Sequence, residues 1–161
     1  MDKMQKYLQL KTRAEQIFRE NPLVYCPFLR ENITLNSDGF HHLRFTSNRK
    51  ERSKNEQMLK FSLLPLVIQI IKKAGTVQEY RKTLCCIGKK SKKDGLAHAK
   101  MVEYWGFVAI VGEKNPIKIR VVLRRVGNGK IIFWSVMPAV KLNRDRIEVI
   151  RSLSKKGIED D

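Results

Sequence analysis

The chain has 161 residues and carries 33 Lys and Arg against 16 Asp and Glu, a formal charge of +17. Its 42% hydrophobic content is that of a globular domain and excludes general disorder. No apolar run approaches the roughly 18 residues of a membrane helix, since the longest, Phe61 to Ile71, is broken by Ser62, Pro65 and Gln69.

From Asp2 to Arg19 the residues Met4, Tyr7, Leu8, Ala14, Ile17 and Phe18 fall near one helical stripe, which predicts an amphipathic helix ending before Asn21-Pro22. A loop with Pro22 and Pro27 is expected next. Asn36 or Ser37 can cap a short helix through Leu43, which Gly39 weakens by about 1 kcal/mol relative to Ala. Thr46 to Arg52 is polar and basic and reads as a loop. Ser53 followed by Glu56 is a capping box that opens a long, largely buried helix through Ile71, with Pro65 kinking or splitting it. Thr76 and Glu79 repeat the spacing and predict a further short helix over Val77 to Arg81.

From Thr83 the period changes to two. Strands are expected over Thr83 to Gly88, Lys100 to Val111, Ile117 to Arg124 and Lys130 to Met137, the last stopped by Pro138. Gly127-Asn128-Gly129 suits a tight hairpin. Arg144 to Ser154 reads as a final helix and Glu159 to Asp161 as an acidic end. The expected architecture is α+β, with N-terminal helices packed on a roughly four-stranded antiparallel sheet. It forms a single domain over 1–161: a leading helix and loop over 1–32, a core over 33–137, and a helix or tail over 138–161.

The charge is clustered. Residues 114 to 144 contain no Asp or Glu but eight Lys and Arg, among them Lys118, Arg120, Arg124, Arg125 and Lys130. Arg44, Arg49, Lys50, Arg52 and Lys54 make a second cluster, and Lys89, Lys90, Lys92 and Lys93 a third. A polyanion relieves the self-repulsion of such a surface, which points to a nucleic acid. Lys50, Arg52, Lys60, Lys118, Arg125 and Lys130 are the expected backbone contacts.

His41-His42, followed by Arg44, adds chemistry. Neighbouring helical residues diverge by about 100°, so one imidazole at most serves a given site. RNA carries its own nucleophile, the 2′-OH. A protein has only to deprotonate it, stabilise the phosphorane and protonate the leaving oxygen, and an imidazole with guanidinium groups can do so without metal. Arg120 and Arg124 lie on one face of their strand, Ser135 shares a face with Phe133, Trp134 shares one with Ile132, and Tyr104 and Trp105 point oppositely. His98 reads as loop surface and the tryptophans as core. No metal-binding, nucleotide-cradle or hydrolase-elbow motif occurs, so no metal or cofactor is expected. The start of the chain lacks the apolar region of a secretory signal. Cys26, Cys85 and Cys86 make no disulfide framework and read as small buried apolar residues of a cytoplasmic protein.

Gly39-Phe40-His41-His42-Leu43, Leu63-Leu64-Pro65-Leu66-Val67, Tyr104-Trp105-Gly106-Phe107 and Arg120 to Ser135 resemble, in element order and charge over about residues 33 to 137, the barnase–EndoU–colicin–RelE superfamily of small ribonucleases, its phage-type branch in particular. The resemblance implies metal-independent RNA cleavage leaving a 2′,3′-cyclic phosphate. It also implies a toxin-like action on mRNA or tRNA and an acidic antitoxin or immunity partner. It makes His42 the helix histidine, with His41 as fallback, Arg120 and Arg124 the phosphate clamps, and Ser135 or Tyr104 polar accessories; in the ribonuclease reading Arg44 joins the two arginines in stabilising phosphate. The chain departs from the pattern in lacking a second histidine or glutamate in the sheet, so the general acid is unassigned. The alternatives are a non-catalytic RNA- or DNA-binding protein and a module whose basic face docks an acidic partner.

Overall fold

In the computed structural model, which describes residues 1–88, 90, 92–96, 98–142, 148, 149 and 158, helix α1 spans Lys3–Glu20. Asp2 caps it: the Asp2 carboxylate accepts from the Gln5 N–H at 2.8 Å while the Asp2 N–H donates to the Gln5 side chain at 3.1 Å. Tyr7, Ala14 and Phe18 are buried, whereas Met4 and Leu8 at the edge of the expected stripe are exposed.

The expected loop is a hairpin. Strand β1 (Leu23–Cys26) pairs antiparallel with β2 (Glu31–Thr34). Val24, Cys26 and Ile33 point inward while Leu23 and Tyr25 face out, so the two prolines bound a strand instead of marking one continuous loop. Arg30, at φ 54°, closes the turn by donating its N–H to the Cys26 carbonyl at 2.8 Å.

Helix α2 (Ser37–Arg44) is capped by Asn36, whose side chain accepts from the Gly39 N–H at 3.2 Å. Helix α3 (Lys54–Lys73) starts at Ser53, which accepts from the Glu56 N–H at 3.2 Å. Pro65 lies inside α3 without splitting it. The lost N–H concerns one bond, and burial of Phe61, Leu64, Val67, Ile70 and Ile71 holds the turns on either side.

Strands β3 (Glu79–Ile87), β4 (His98–Val111), β5 (Ile117–Val126) and β6 (Ile132–Leu142) form the expected antiparallel meander. The short helix expected over Val77 to Arg81 is absent. There the Gln78 N–H donates to the Gly106 carbonyl at 3.1 Å, and the Gln78 side chain accepts from the Val108 N–H at 2.7 Å, so pairing with β4 captures a segment whose local spacing favours a helix. Strand β6 runs past Pro138 because, at that point, it pairs only with β5 and a register shift relieves the missing donor.

The sheet is larger than the four antiparallel strands expected. Its order is β1-β2-β6-β5-β4-β3, six strands in a mixed sheet, with a two-residue β7 (Glu148–Val149) on β6. The β2–β6 contact is parallel, at Thr34 and Ile132. Of the helix expected over Arg144 to Ser154, only Glu148 and Val149 are described, and they are strand. The rest, like Lys89 and Glu159 to Asp161, lies outside the described residues.

The α+β class holds, with helices packed on the sheet. The helix-side core joins Phe18, Leu64 and Val67 to Trp105, Phe107, Val121, Leu123 and Phe133. A second, smaller cluster on the opposite face holds Val102, Tyr104, Val122, Trp134 and Ile158. Cys26 is buried, but Cys86 is exposed on the edge strand β3, so the all-buried expectation fails there. No helix among the described residues is long and apolar enough to cross a membrane.

Candidate nucleic-acid interface

Alternation along β5 puts Lys118, Arg120, Val122 and Arg124 on the face away from α1 and α3. The register then sets their neighbours: Tyr104 and Ile132 stand opposite Arg124, and Ser135 stands opposite Val122. A bulge between Val122 and Leu123 inserts Trp134 without a partner on β5. Phe133 therefore packs in the helix-side core while Trp134 and Ser135 both serve the other face. The expected pairing of Ser135 with Phe133 is corrected, because the extra residue reverses the alternation beyond it.

Helix α2 lies against β6 so closely that a Cβ on Gly39 would overlap the Phe133 carbonyl oxygen. This approach brings His42 to the same face as Arg124. The imidazole stacks on the Trp134 indole, ring centroids 4.0 Å apart and planes at 15°. The Arg124 guanidinium carbon lies 4.1 Å from the Trp134 centroid and 5.8 Å from that of Tyr104. His42, Arg124, Tyr104 and Trp134 thus share one locus, with Ile158 packed against its aromatic residues. Arg124 Nε and Trp134 Nε1 are buried there with no hydrogen-bond partner.

His42 is 2% exposed, and Arg52 locks it. Arg52 Nε donates to the His42 carbonyl at 3.0 Å, Nη1 donates to Glu56 at 2.8 Å, and Nη2 lies 3.3 Å from His42 Nε2. A guanidinium has no acceptor, so that last contact is a hydrogen bond only in the tautomer that leaves the lone pair on Nε2. Arg52 is thereby corrected from a phosphate contact to the clamp of the imidazole. The spacing of Arg52 and Glu56, one helical turn apart, was the available signal for it.

Other expected contacts also change role. Lys60 is wholly buried; it donates to Ser135 Oγ at 2.9 Å and the Val136 carbonyl at 3.1 Å, and lies 3.0 Å from Met137 Sδ. It reaches sheet groups instead of surface phosphate because α3 packs at the part of β6 that has no second strand. Ser135, also wholly buried, is an acceptor of that lysine. Arg125 belongs to the other face: its Nε and Nη2 both donate to Glu103 Oε1, at 3.0 and 2.8 Å. Burial pushes the Glu103 carboxyl up, but hydrogen bonds from Tyr80 and Arg125 outweigh it and hold the group below its ordinary value. The same hydrogen bond raises Tyr80.

Arg120 shares the Arg124 face, and its Nη1 donates to Glu79 at 3.2 Å. His41 is exposed and stacks on Phe45 at 4.4 Å, away from the His42 contacts. Arg44 sits 5.3 Å over Phe45 and 4.0 Å from Glu51, so it is not brought to Trp134. Lys50 and Lys130 are exposed, Lys118 is half-buried, and His98 is exposed at the start of β4. Among the described residues no group of His, Cys, Asp and Glu is placed to hold a metal ion. No family model, no curated protein and no solved structure matches the chain.

Proposed function

We propose that the protein is a metal-independent endoribonuclease acting at the locus of His42, Arg124, Tyr104 and Trp134. The observation that carries this reading is the pair of buried, unpartnered donors, Arg124 Nε and Trp134 Nε1, beside the His42 imidazole that stacks on the indole. Buried donors without acceptors are costly, and an entering phosphodiester oxygen satisfies them. In this reaction His42 Nε2 exchanges its contact with Arg52 for the ribose 2′-OH and takes its proton. The O2′–P bond forms, the P–O5′ bond breaks, the leaving O5′ takes a proton from water while O2′ and O3′ close the cyclic phosphate, and the His42 imidazolium returns its proton to the hydroxide so formed. Arg124 and Arg120 stabilise the charge on the phosphorane. RNA reaching the indole displaces Ile158 from the aromatic cluster. The element order, helices carrying a histidine followed by a basic antiparallel meander, fits the resemblance to the barnase–EndoU–colicin–RelE superfamily. The proposed setting is accordingly toxin-like or phage-associated, in the cytoplasm, acting on mRNA or tRNA and controlled by an acidic antitoxin or immunity protein.

The second reading is a non-catalytic RNA- or DNA-binding protein. It is favoured by the burial of His42 and the engagement of Nε2 by Arg52. One experiment separates the two. A labelled RNA is incubated with the protein in EDTA, and fragments with cyclic phosphate ends are sought. Cleavage that His42→Ala lowers by about 10²- to 10⁴-fold with RNA affinity retained supports catalysis. Binding without fragments supports the second reading, and no binding at low salt overturns both.

A further inference from the structure

We propose that the groove between α1 and α2 is a separate nucleotide-binding subsite, which seats a base on Phe18 and Phe40 and its phosphate between Arg19 and Arg44. The groove has a volume of about 560 Å³ and an apolar floor of Phe18, Leu35 and Phe40. The two phenyl rings meet edge to face, centroids 5.3 Å apart at 86°, and Phe40 also stacks on Phe61 at 5.8 Å, so the floor is held by aromatic contacts. Arg19, His41 and Arg44 stand on that rim.

The rim has donors to spare. Arg44 Nε is buried and has no hydrogen-bond partner. Its nearest carboxylate, Glu51, is 4.0 Å from Nη2, beyond hydrogen-bonding distance. Arg19 is exposed. Glu15 also lines the groove, but its charge is offset by Lys11 at 3.9 Å. An apolar floor that includes an aromatic ring, with two guanidinium groups among the lining residues, matches a nucleoside monophosphate unit: the base packs on the floor and the anion pairs. An aliphatic ligand leaves the guanidiniums unused, and inorganic phosphate leaves the floor wet.

The position gives the subsite a purpose. His41 borders this groove and His42 the sheet locus, consecutive residues projecting about 100° apart from one short helix. A strand of RNA lying across α2 meets both, one nucleotide at Trp134 and a flanking one in the groove. This extension rests on the RNA reading for the identity of the ligand, whereas the subsite itself is tested with a mononucleotide.

The probes are adenosine 5′-monophosphate and ribose 5-phosphate, titrated into the intact protein and followed by NMR. Adenosine 5′-monophosphate is expected to move the resonances of Phe18, Phe40 and His41, and ribose 5-phosphate to bind at least about tenfold more weakly, because stacking is lost. Arg19→Glu, a surface change that leaves the core intact, is expected to weaken the mononucleotide at least about fivefold. With an oligoribonucleotide it raises KM and leaves kcat unchanged. Unmoved groove resonances, equal binding of the two probes, or indifference to Arg19→Glu overturns the proposal. Mononucleotide binding in the groove with no RNA cleavage supports the subsite and overturns the ribonuclease reading instead.

Discussion

The imidazole of His42 lies flat on the indole of Trp134, 4.0 Å between centroids, although the residues are carried by a helix and a strand far apart in the sequence. Two local features produce this contact. Gly39 lets α2 approach the β6 backbone, and the alternation of Ile132, Phe133 and Trp134 puts the indole on the face where His42 arrives. Arg52 then holds His42 through its backbone carbonyl and its Nε2.

The stack and the indole donor are separable. Trp134→Phe keeps an aromatic surface for His42 and removes Nε1. If that N–H meets a phosphate oxygen, the variant folds as wild type and loses about 10-fold or more in RNA cleavage, in the range of one neutral hydrogen bond made in the transition state. Unchanged kcat and KM in Trp134→Phe, measured on the oligoribonucleotide that wild type cuts, removes the indole from the site.

Gly39 is predicted to be irreplaceable for a steric reason. Alanine is the better helix former by about 1 kcal/mol. Its methyl group, however, would overlap the Phe133 carbonyl, which is backbone and cannot rotate away. Gly39→Ala is expected to destabilise the fold by about 1–3 kcal/mol net, as overpacking does. The measurement is the urea midpoint at constant m. A midpoint equal to wild type or higher means that α2 sits farther from β6.

Much of the frame was legible because its signals are local. Asn36 and Ser53 announce the starts of α2 and α3, and the two-residue period of β5 puts Arg120 and Arg124 on one face. The site itself depends on pairings that no short window contains. The bulge at Trp134 exists only against β5, and it puts Ser135 on the same face as Trp134 and off that of Phe133. Lys60 looks like a solvated residue on an amphipathic helix until β6 supplies its acceptors. Thr76 and Glu79 carry a helix-start spacing that β4 overrides. The β1–β2 hairpin is too short for its alternation to stand out between two prolines.

Glu103 gives a pH dependence with a definite sign. Its carboxyl titrates below the ordinary value in the folded chain, since it accepts from Tyr80 at 2.7 Å and from Arg125. The stabilisation is complete above the unfolded-state value and is lost as pH falls through the lower, folded one. Thermal midpoints followed from about pH 6 to pH 3 are expected to fall in wild type and to fall less steeply in Glu103→Gln. Parallel curves for the two proteins would assign the acid sensitivity to other carboxylates.

Lys60 and Ser135 form a buried link between α3 and β6, and their energies are predicted to be coupled. The ammonium has given up water for a hydroxyl, a carbonyl and a thioether sulfur, all near 3 Å. Lys60→Met keeps the bulk but removes the charged donor from Ser135 Oγ and the Val136 carbonyl, a loss of about 1–3 kcal/mol. Ser135→Ala removes one acceptor of a buried cation and is costly for the same reason. The double variant has neither the cation nor the hydroxyl, so it should be less destabilised than the two single changes summed, by about 0.5–3 kcal/mol. Urea denaturation of all four proteins completes the cycle. Additivity within about 0.3–0.5 kcal/mol would mean that Lys60 is held by its backbone acceptor and its surroundings, with the hydroxyl a bystander.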